Sequence, residues 1–594
     1  MTMHEAIAAT AAENPEAPAV TANGETLTYR QLDERANRLA HHLRALGVTR
    51  GRHVAVLLER SAEMIVALVS TLKAGAAYVP LDPLDPPARL EKIVRDARPA
   101  CVVTSGHLAR LLSDAEVRIV DIAAEWQAVD ACPRTAPSVA ADLDDVAYIC
   151  FTSGSTGTPK GVRVAHRGVL RLATMADYSA ADSFLQVAPL AFDASVFEIW
   201  CALLNGARLV LYPPQRPTQD GLARLIRDER ITVALLATGL FHRMVDGPVE
   251  SLENLRHLVF GGDLASPHHV NRAWRALPNV RLTNGYGVAE ATCLSCYYDI
   301  TEPLPPDRPV PIGRPLPGTR VHVLDDNGRT CDVGQPGELY VAGEGLALDY
   351  LGRPELTERR FVPEPLGPNG SARMYRTGDL VSMRDDGYLD FHGRLDTQVK
   401  IRGFRVEFGE IEAFLSTQPG VRQVVAVAGR HGPLAERQLI AYISTDVDAA
   451  DNELVIARLR AVAYRELPHY LVPSTILVLD EIPVTGNGKI DRDALPPPPK
   501  RTARNMPEPY VPPRTSLESL LADLVSDTLG VSPVGVFDDF FALGGDSLDA
   551  TDLAVEIQRT LELEAPVGMV FGSWTVARLA EALAGNAQPS VTGR

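Results

Sequence analysis

Apolar residues recur at two different spacings in the first 140 residues, and these spacings separate helices from strands. Residues 34–46 carry apolar side chains three or four positions apart, at Ala36, Leu39, Ala40 and Leu43. This spacing predicts an amphipathic helix, and residues 62–73 predict a second helix that ends at Gly75. Residues 54–58 form an unbroken apolar run, which is typical of a buried strand. Such alternation predicts a layered α/β domain with parallel strands.

A second apolar run, residues 146–151, predicts a strand that opens into a loop of glycines and hydroxyl residues. The loop residues are Thr152, Ser153, Gly154, Ser155, Thr156 and Gly157. Glycines let backbone N–H groups surround an anion, hydroxyls add donors, and Lys160 adds a positive charge. Pro159 and Gly161 depart from the common nucleotide P-loop, which has glycine before the lysine and Ser or Thr after it. The pattern therefore predicts a polyphosphate site of another kind.

Composition restricts the class of protein. With 594 residues, the chain predicts two to four domains, and 46% hydrophobic with 22% charged residues is typical of a globular protein. The net charge of −17 argues against nucleic-acid binding. No apolar run reaches about 18 residues and the N-terminus lacks a signal pattern, so we expect no membrane span and a cytoplasmic location. Cys293 and Cys296 form a single CxxC, for which zinc is not expected.

Further motifs follow the loop in a fixed order. They are Asn284-Gly-Tyr-Gly-Val-Ala-Glu, Tyr375-Arg-Thr-Gly-Asp-Leu, Gly393-Arg-Leu-Asp-Thr-Gln-Val-Lys, Thr485-Gly-Asn-Gly-Lys-Ile-Asp-Arg and Phe537-Asp-Asp-Phe-Phe-Ala-Leu-Gly-Gly-Asp-Ser-Leu. Together they resemble the adenylation domains of nonribosomal peptide synthetases, which are adenylate-forming enzymes, fused to a peptidyl carrier (thiolation) domain. Two stretches depart from the family pattern, because Val288-Ala289 replaces Pro-Thr and Leu348-Asp349 replaces Arg-Gly.

The resemblance implies a role for each motif residue and implies ATP, Mg²⁺ and 4′-phosphopantetheine as cofactors. The residues expected to bind ATP, beside the loop, are Asn284, Tyr286, Asp379 and Arg394. Glu290 is expected to hold Mg²⁺, and Lys160 and Lys489 to act in catalysis. Asp396 is expected to be the hinge of a mobile lid. Ser547, which follows a Gly-Gly turn at the predicted start of a helix, is expected to carry the phosphopantetheine, since helix N-termini favour anions.

Substrate recognition is expected to centre on Asp193. An unpaired carboxylate among apolar residues is unfavourable, so Asp193 needs a cationic partner; the resemblance implies the α-ammonium of an amino acid. The other pocket residues implied by alignment are Ala194, Phe197, Gly239, Val259, Gly261, Gly285, Cys293 and Leu294. They carry no charge, and three glycines leave room. A large neutral or aromatic side chain is expected, with valine or leucine as the alternative.

Composition shifts and the resemblance together predict five segments. The expected segments are 1–395 (adenylation core), 396–498 (lid), 499–515 (proline-rich linker), 516–586 (carrier domain) and 587–594 (tail). The predicted fold class is α/β: a large multi-sheet adenylation body with a small mobile α+β lid, followed by an all-α four-helix-bundle carrier.

The expected function is ATP-dependent activation of an amino acid as aminoacyl-AMP and its transfer to the chain's own carrier, in natural-product or antibiotic biosynthesis. The alternatives are an acyl or aryl acid-AMP ligase fused to a carrier and a degenerate binding module. Expected partners are a phosphopantetheinyl transferase and a tailoring enzyme or condensation domain acting in trans. Whether an MbtH-like activator is needed stays open. The absence of condensation and thioesterase motifs predicts a free-standing loading unit.

Overall fold

The computed structural model describes the chain apart from residues 114, 155–158, 216, 307, 366–371, 397, 402–403, 431–436, 447–451, 484–489, 493, 498–509, 530, 541–542, 544, 546, 562–574 and 587–594. The chain divides into two compact units, Met1–Glu407 and Phe408–Arg594. In the described parts of both units, no helix combines the length and the apolar character needed to cross a membrane.

The first unit alternates strands and helices. Its strands are β1 (Pro18–Ala22), β2 (Glu25–Thr28), β3 (His53–Leu57), β4 (Ala77–Pro80), β5 (Cys101–Thr104), β6 (Ile119–Asp121), β7 (Val146–Thr152), β8 (Lys160–Ala165), β9 (Ser183–Gln186), β10 (Arg208–Leu211), β11 (Val233–Ala237), β12 (His257–Gly261), β13 (Arg281–Tyr286), β14 (Cys296–Asp299), β15 (Arg314–Pro315), β16 (Thr319–Leu324), β17 (Gly337–Gly343), β18 (Asp349–Tyr350), β19 (Phe361–Pro363), β20 (Arg373–Met383), β21 (Leu389–Arg394), β22 (Gln398–Ile401) and β23 (Phe404–Glu407). Its α-helices are α1 (Met3–Glu13), α2 (Tyr29–Ala45), α3 (Ala62–Lys73), α4 (Pro87–Ala97), α5 (Ile122–Asp130), α6 (His166–Leu172), α7 (Ala194–Leu204), α8 (Gln219–Asp228), α9 (Thr238–Asp246), α10 (Pro267–Ala276) and α11 (Pro354–Arg360).

Two large sheets form the body of this unit. One has the strand order β15-β14-β13-β12-β11-β9-β10-β1-β2 and the other β18-β8-β7-β4-β3-β5-β6. Their central strands are parallel, as the alternating pattern predicts. A smaller sheet, β16-β17-β20-β19 with β21 paired to β20, follows, and β22 and β23 pair as a separate antiparallel hairpin.

The core lies between the two large sheets and on their outer faces. Along β3, Val54 and Val56 belong to the central apolar cluster, which also takes in residues of α1, α2, α3 and α7, whereas Ala55 and Leu57 face the cluster that includes α4. Along β12, Val259 faces the centre, and its neighbours face the cluster that contains residues of α8 and α10. Successive side chains of a strand point to opposite faces, so strands buried on both sides appear as unbroken apolar runs.

The predicted elements of this unit are confirmed, with small shifts at their ends. The helix predicted over 34–46 is α2, whose apolar stripe is buried, and Thr28 and Gln31 form a capping box at its start. The second predicted helix coincides with α3, where Ser61 accepts a hydrogen bond from the Met64 amide. The chain turns after α3 at Gly75, whose φ of +82° is a left-handed conformation that glycine adopts readily.

The second unit contains a small sheet and, further on, a group of helices. Its elements are α12 (Phe408–Ser416), β24 (Val421–Arg430), β25 (Arg437–Thr445), α13 (Asn452–Glu466), β26 (Thr475–Val478), α14 (Ser516–Leu529), α15 (Ser547–Leu561) and α16 (Val576–Asn586). The sheet order is β24-β25-β26. On α15, Ala550, Leu553, Ala554 and Ile557 are buried in one apolar cluster with residues of α14 and α16. The four-helix bundle stays a prediction, because residues 562–574 lie outside the described part.

Candidate active site

The predicted phosphate loop leaves one strand of an antiparallel pair and returns along the other. Thr152 ends β7, Lys160 begins β8, and the two residues are partners in the ladder. Ser153 donates a hydrogen bond from Oγ to the Arg405 carbonyl oxygen at 2.6 Å, and Gly154 is described as well. Ser155, Thr156 and Gly157 lie outside the described residues. The strand pair therefore fixes both ends of the loop and places Lys160 at its mouth.

Lys160 is buried between two carboxylates. Its Nζ lies 3.5 Å from Glu290 Oε1 and 3.6 Å from Glu407 Oε1, and 5.2 Å from the centre of the Tyr350 ring. Burial and the neighbouring Arg405 lower the pKa of Lys160 to about 8, although both carboxylates oppose the shift. A buried ammonium of this kind is ready to receive phosphate oxygens.

Glu290 lies in a short 3₁₀ turn directly after β13, and its side chain is fully buried. Arg405 Nη1 donates to both of its carboxylate oxygens, at 3.0 and 2.8 Å, and the Tyr350 hydroxyl donates to Oε1 at 2.6 Å. Burial alone would raise the pKa of Glu290, but Arg405 and Lys160 hold it well below its usual range. The carboxylate is therefore ionised and surrounded by donors.

Asp379, Tyr286 and Arg394 meet at the predicted ribose position. The Tyr286 hydroxyl and Arg394 Nη1 each donate a short hydrogen bond to the Asp379 carboxylate. Arg394 also donates from Nε to Asp396 at 2.7 Å, so the predicted hinge aspartate is paired with a residue of the same cluster. The structure thus brings Tyr286 together with two residues that lie more than 90 positions later in the sequence. Their arrangement offers a carboxylate for two hydroxyls beside an aromatic ring.

Asn284 has a structural hydrogen bond that the sequence does not indicate. Its side-chain Nδ2 donates to the Pro311 carbonyl oxygen at 2.8 Å, and the side chain is buried on β13. The expected contact between this amide and a nucleotide base stays a prediction.

Asp193 lies immediately before α7, where the helix dipole favours a negative charge. Among the described residues, no lysine or arginine nitrogen lies within 4.0 Å of its half-buried carboxylate. Burial raises the pKa of Asp193, and the nearby charge that opposes this most is Lys400. The carboxylate accordingly forms no ion pair with a lysine or arginine of the described residues, although Lys400 is near enough to oppose the rise of its pKa.

The three predicted pocket glycines have different physical roles. A Cβ atom at Gly261 would run into the carbonyl oxygen of Gly285, its partner on the neighbouring strand, and a Cβ at Gly285 would lie 2.9 Å from Leu294. A Cβ at Gly239, in the first turn of α9, meets nothing within 4 Å. Only Gly239 therefore leaves open space, whereas the other two glycines let backbone and side chains approach closely.

The remaining predicted pocket residues come from three elements. Ala194 and Phe197 belong to α7, Val259 belongs to β12, and Cys293 and Leu294 follow the 3₁₀ turn that carries Glu290. All but Ala194 are buried. Cys293 has a φ of +65°, which is uncommon for a residue with a side chain.

Arg171 holds the turn around Cys293 in place. Its buried guanidinium donates from Nη2 to the Leu294 carbonyl oxygen at 2.7 Å.

The departure at Leu348-Asp349 has a local explanation. Asp349 on β18 and Arg163 on β8 are partners across the strand pair and form a two-point ion pair, with Arg163 Nε 2.6 Å from Asp349 Oδ1. The pair fixes β18 against β8, and the next residue, Tyr350, reaches Glu290. Nothing in the structure explains Val288-Ala289.

Four residues at the site were not predicted: Tyr350, Lys400, Arg405 and Glu407. Three of them belong to the β22–β23 hairpin, and Lys400 donates to the Gly287 carbonyl oxygen at 3.4 Å. Their sequence signal is weak, because they contact partners more than 50 residues away. Lys489 lies outside the described residues. Ser547 is the first residue of α15, as predicted.

Three family profiles match this chain in order. The profile described as AMP-binding enzyme matches residues 7–351, the AMP-binding enzyme C-terminal domain matches 410–489, and the phosphopantetheine attachment site matches 519–583. The chain belongs to the AMP-binding enzyme family. It is an adenylate-forming ligase with the adenylation–thiolation organisation of a nonribosomal peptide synthetase. Its cofactors are ATP with Mg²⁺ and 4′-phosphopantetheine.

Curated relatives of this AMP-binding enzyme include linear gramicidin, surfactin and bacitracin synthases. It is 43% identical over 582 residues to a linear gramicidin synthase of Brevibacillus parabrevis, and 39% identical over 580 residues to surfactin synthase subunit 1 of Bacillus subtilis (strain 168). Each match covers 97% of this chain but only 7% and 16% of the respective relative. The similarity concerns one segment of much larger proteins.

Solved structures of two relatives share the fold. Holo-PA1221, described as a nonribosomal peptide synthetase protein with adenylation and PCP domains, superposes with a TM-score of 0.80 at 29% identity, covering 98% of this chain and 97% of that one. Klebsiella oxytoca NpsA in complex with 3-hydroxyanthranilyl-AMSN superposes with a TM-score of 0.62 at 30% identity, covering 83% and 98%.

In this arrangement, Glu290 does not fit a metal ligand. Both carboxylate oxygens accept from Arg405, and Lys160 and Tyr350 also surround Oε1. Cations thus take the positions that a divalent metal would need. Elsewhere in the described part, no group of three or more His, Cys, Asp or Glu residues is suited to a metal ion.

Proposed function

We propose that this AMP-binding enzyme activates an amino acid as aminoacyl-AMP and transfers the aminoacyl group to the phosphopantetheine of its own carrier domain. The observation that carries the proposal is Asp193, a half-buried carboxylate with no ion-pair partner among the described residues. A substrate α-ammonium would supply the missing charge. A carboxylic acid without an amino group would leave Asp193 unpaired, which is costly in a buried site.

The first half-reaction is the attack of the amino-acid carboxylate on the α-phosphorus of ATP, with loss of pyrophosphate. The protein needs no nucleophile, so its part is positioning and charge stabilisation. Asp379 is proposed to hold the ribose, Tyr286 is proposed to hold the adenine, and Lys160 is proposed to hold the phosphates. Lys489 is proposed to contact the substrate carboxylate and the α-phosphate, as the resemblance implies.

The second half-reaction is the attack of the phosphopantetheine thiol on the carbonyl carbon of the aminoacyl-AMP, which forms the thioester and releases AMP. Ser547 is the proposed attachment residue, and its position as the first residue of α15 supports this role, since a helix N-terminus favours a phosphodiester. The hinge at Asp396 and a mobile lid belong to the same proposal.

The proposed substrate has a large neutral or aromatic side chain, such as tyrosine, tryptophan or phenylalanine; valine or leucine is the alternative. Open space at Gly239 and the uncharged residues Phe197, Val259 and Leu294 support this choice. A phosphopantetheinyl transferase, an MbtH-like activator and a tailoring enzyme or condensation domain acting in trans are proposed partners.

A second candidate is an aryl or acyl acid ligase. The solved structure of NpsA carries a 3-hydroxyanthranilyl analogue, and its similarity to this chain supports that alternative.

Amino-acid-dependent ATP–pyrophosphate exchange separates the two functions. We expect exchange with one large neutral amino acid and none with its analogue that lacks the amino group. Asp193→Asn should raise the KM for the amino acid at least about 30-fold, because a hydrogen bond to a charged group contributes ~2 kcal/mol. Asp390→Asn, which removes a carboxylate paired with Arg384 away from the site, is the matched control. Equal exchange with the acid analogue would favour the acid ligase.

A further inference from the structure

Arg171 is buried near the end of α6 without an ion-pair partner among the described residues. Its guanidinium Nη2 donates instead to the carbonyl oxygens of Leu294, Ala291 and Thr292, at 2.7, 3.4 and 3.4 Å, and Nη1 donates to the Thr319 hydroxyl. A buried charge is unfavourable unless hydrogen bonds compensate it. These acceptors therefore stabilise the guanidinium, and the guanidinium holds three carbonyl groups of one turn, residues 291–294, in a fixed orientation.

The 291–294 turn has a backbone that needs such support. Thr292 and Cys293 have φ of +56° and +65°, so two successive residues with side chains occupy the left-handed region, which is unfavourable outside glycine. The Thr292 hydroxyl also donates to the Gly345 carbonyl oxygen at 2.6 Å. Helix α6 approaches closely here, because a Cβ at Gly168 would lie 2.5 Å from Thr292 Oγ1. The turn is thus held from outside by α6, through Gly168 and Arg171, and by Gly345.

The turn carries two residues of the predicted pocket, Cys293 and Leu294. The Leu294 side chain covers Gly285, where a Cβ would lie 2.9 Å from it. Burial raises the pKa of the Cys293 thiol, and the negative charge of Asp193 raises it further, which places the thiol near that carboxylate. The backbone that Arg171 holds therefore sets the positions of two side chains beside the predicted substrate position.

Glu290, which comes just before this turn in the chain, is held by other contacts. Arg405 and Tyr350 donate to its carboxylate, and its carbonyl oxygen accepts from the Ala347 amide at 2.9 Å. Loss of the Arg171 guanidinium should therefore disturb the pocket residues of the turn more than Glu290.

We propose that Arg171 is a positioning residue for substrate selection: it holds the left-handed pair Thr292–Cys293 and so fixes the wall against which the amino-acid side chain packs. The proposal rests on the proposed function, which places a large neutral side chain beside Cys293 and Leu294. Discrimination between similar amino acids then depends on a guanidinium that is not among the predicted pocket residues.

Steady-state ATP–pyrophosphate exchange of the full-length protein tests this role. In Arg171→Met, we expect the KM for the selected amino acid to rise at least about tenfold, and its preference over an analogue that is one methylene shorter to fall at least about fivefold. The KM for ATP should stay within about twofold of wild type, because Glu290 keeps its own contacts. Arg171→Lys should lie between, since one ammonium cannot bond several carbonyl oxygens as a planar guanidinium does.

Gly345→Ala tests the same contact while keeping the charge. A Cβ at Gly345 would lie 2.7 Å from Arg171 Cζ and displace the guanidinium. We expect the same loss of preference, and the double variant with Arg171→Met should differ from Arg171→Met by less than about twofold, because both changes act through one contact. Arg208→Met is the control. This arginine, at the start of β10, bonds the Ser183 hydroxyl and the Glu229 carbonyl oxygen, and its loss should lower thermal stability without changing the preference.

Unchanged preference and amino-acid KM in Arg171→Met and Gly345→Ala would overturn the proposal. Equal increases in the KM values for the amino acid and for ATP would also overturn it, since they would indicate a general structural role, and so would fully additive effects in the double variant. A wild-type protein without amino-acid-dependent exchange would contradict the proposed function instead.

Discussion

At the scale of single residues, the structure shows charged groups that are buried in sets and a carboxylate, Asp193, that has no ion-pair partner among the described residues. Lys160 and Arg405 balance the carboxylates of Glu290 and Glu407, so removing one of the four would leave a buried charge without its counterpart, which is strongly destabilising. Asp193 differs from them, because its pKa is raised by burial and it has no ion-pair partner among the described residues. This contrast supports the proposal that Asp193 binds the substrate, whereas the other four charges belong to structural ion pairs.

Buried histidines predict how stability depends on pH. Burial lowers the pKa of His4 and His166 to about 4 and that of His257 to about 3, from about 6.5. Below pH 6.5 the unfolded chain binds more protons than the folded chain, so the free energy of unfolding falls as the pH is lowered. Burial also lowers the pKa of His242 to about 4, so the four histidines together lower the free energy of unfolding by about 5 kcal/mol between pH 7 and 5.5. Burial raises the pKa of Glu198 to about 8, and its protonation in the folded chain offsets about 2 kcal/mol over the same range, so we expect urea unfolding to show a net fall of about 3 kcal/mol.

Single variants identify the source of this pH dependence. His257→Asn should reduce the fall by about 1 kcal/mol, since one buried histidine no longer titrates. His107→Asn, at a position whose side chain is 72% exposed, should leave it unchanged. A free energy of unfolding that is constant over this range would contradict the prediction.

At the scale of elements, the site is assembled by strand ends that the fold brings together. β7 and β8 place the two ends of the predicted phosphate loop, β12 and β13 carry the predicted pocket residues Val259, Gly261 and Gly285, and β18 brings Tyr350 to Glu290. Close approach between β12 and β13 requires glycine at position 261, Gly285 leaves space for the Leu294 side chain, and the start of α9 is open at Gly239. The glycines of the predicted pocket therefore have different structural roles, which single substitutions can distinguish.

Gly239→Leu should narrow the pocket without weakening the fold. We expect the KM for a large aromatic amino acid to rise at least about tenfold, and stability to stay equal or increase slightly, because leucine favours helix over glycine by under ~1 kcal/mol. Gly261→Ala is the matched comparison and should lower thermal stability, since its Cβ meets the Gly285 carbonyl oxygen. If the KM of Gly239→Leu for a large aromatic amino acid were unchanged, Gly239 would not line the substrate pocket.

At the scale of the whole molecule, the sequence predicted elements that depend on neighbouring residues, but it did not predict contacts between residues that are far apart in the chain. The helices α2 and α3, the strand before the phosphate loop and the start of α15 at Ser547 depend on adjacent residues, and they could be predicted. Arg405 lies 115 residues from Glu290 in sequence, and nothing in its neighbours points to that pairing. The Arg163–Asp349 pair likewise appears only when β8 and β18 are side by side.

This protein is proposed both to activate an amino acid and to carry it on the same chain. Intact-protein mass spectrometry of the holo-protein after incubation with ATP, Mg²⁺ and the amino acid selected by exchange tests this directly. We expect one aminoacyl group per chain, localised to the peptide that contains Ser547 and released by hydroxylamine, and none on Ser547→Ala, which should keep its pyrophosphate exchange. An unloaded carrier in a protein that catalyses exchange, or loading that survives Ser547→Ala, would contradict the proposal.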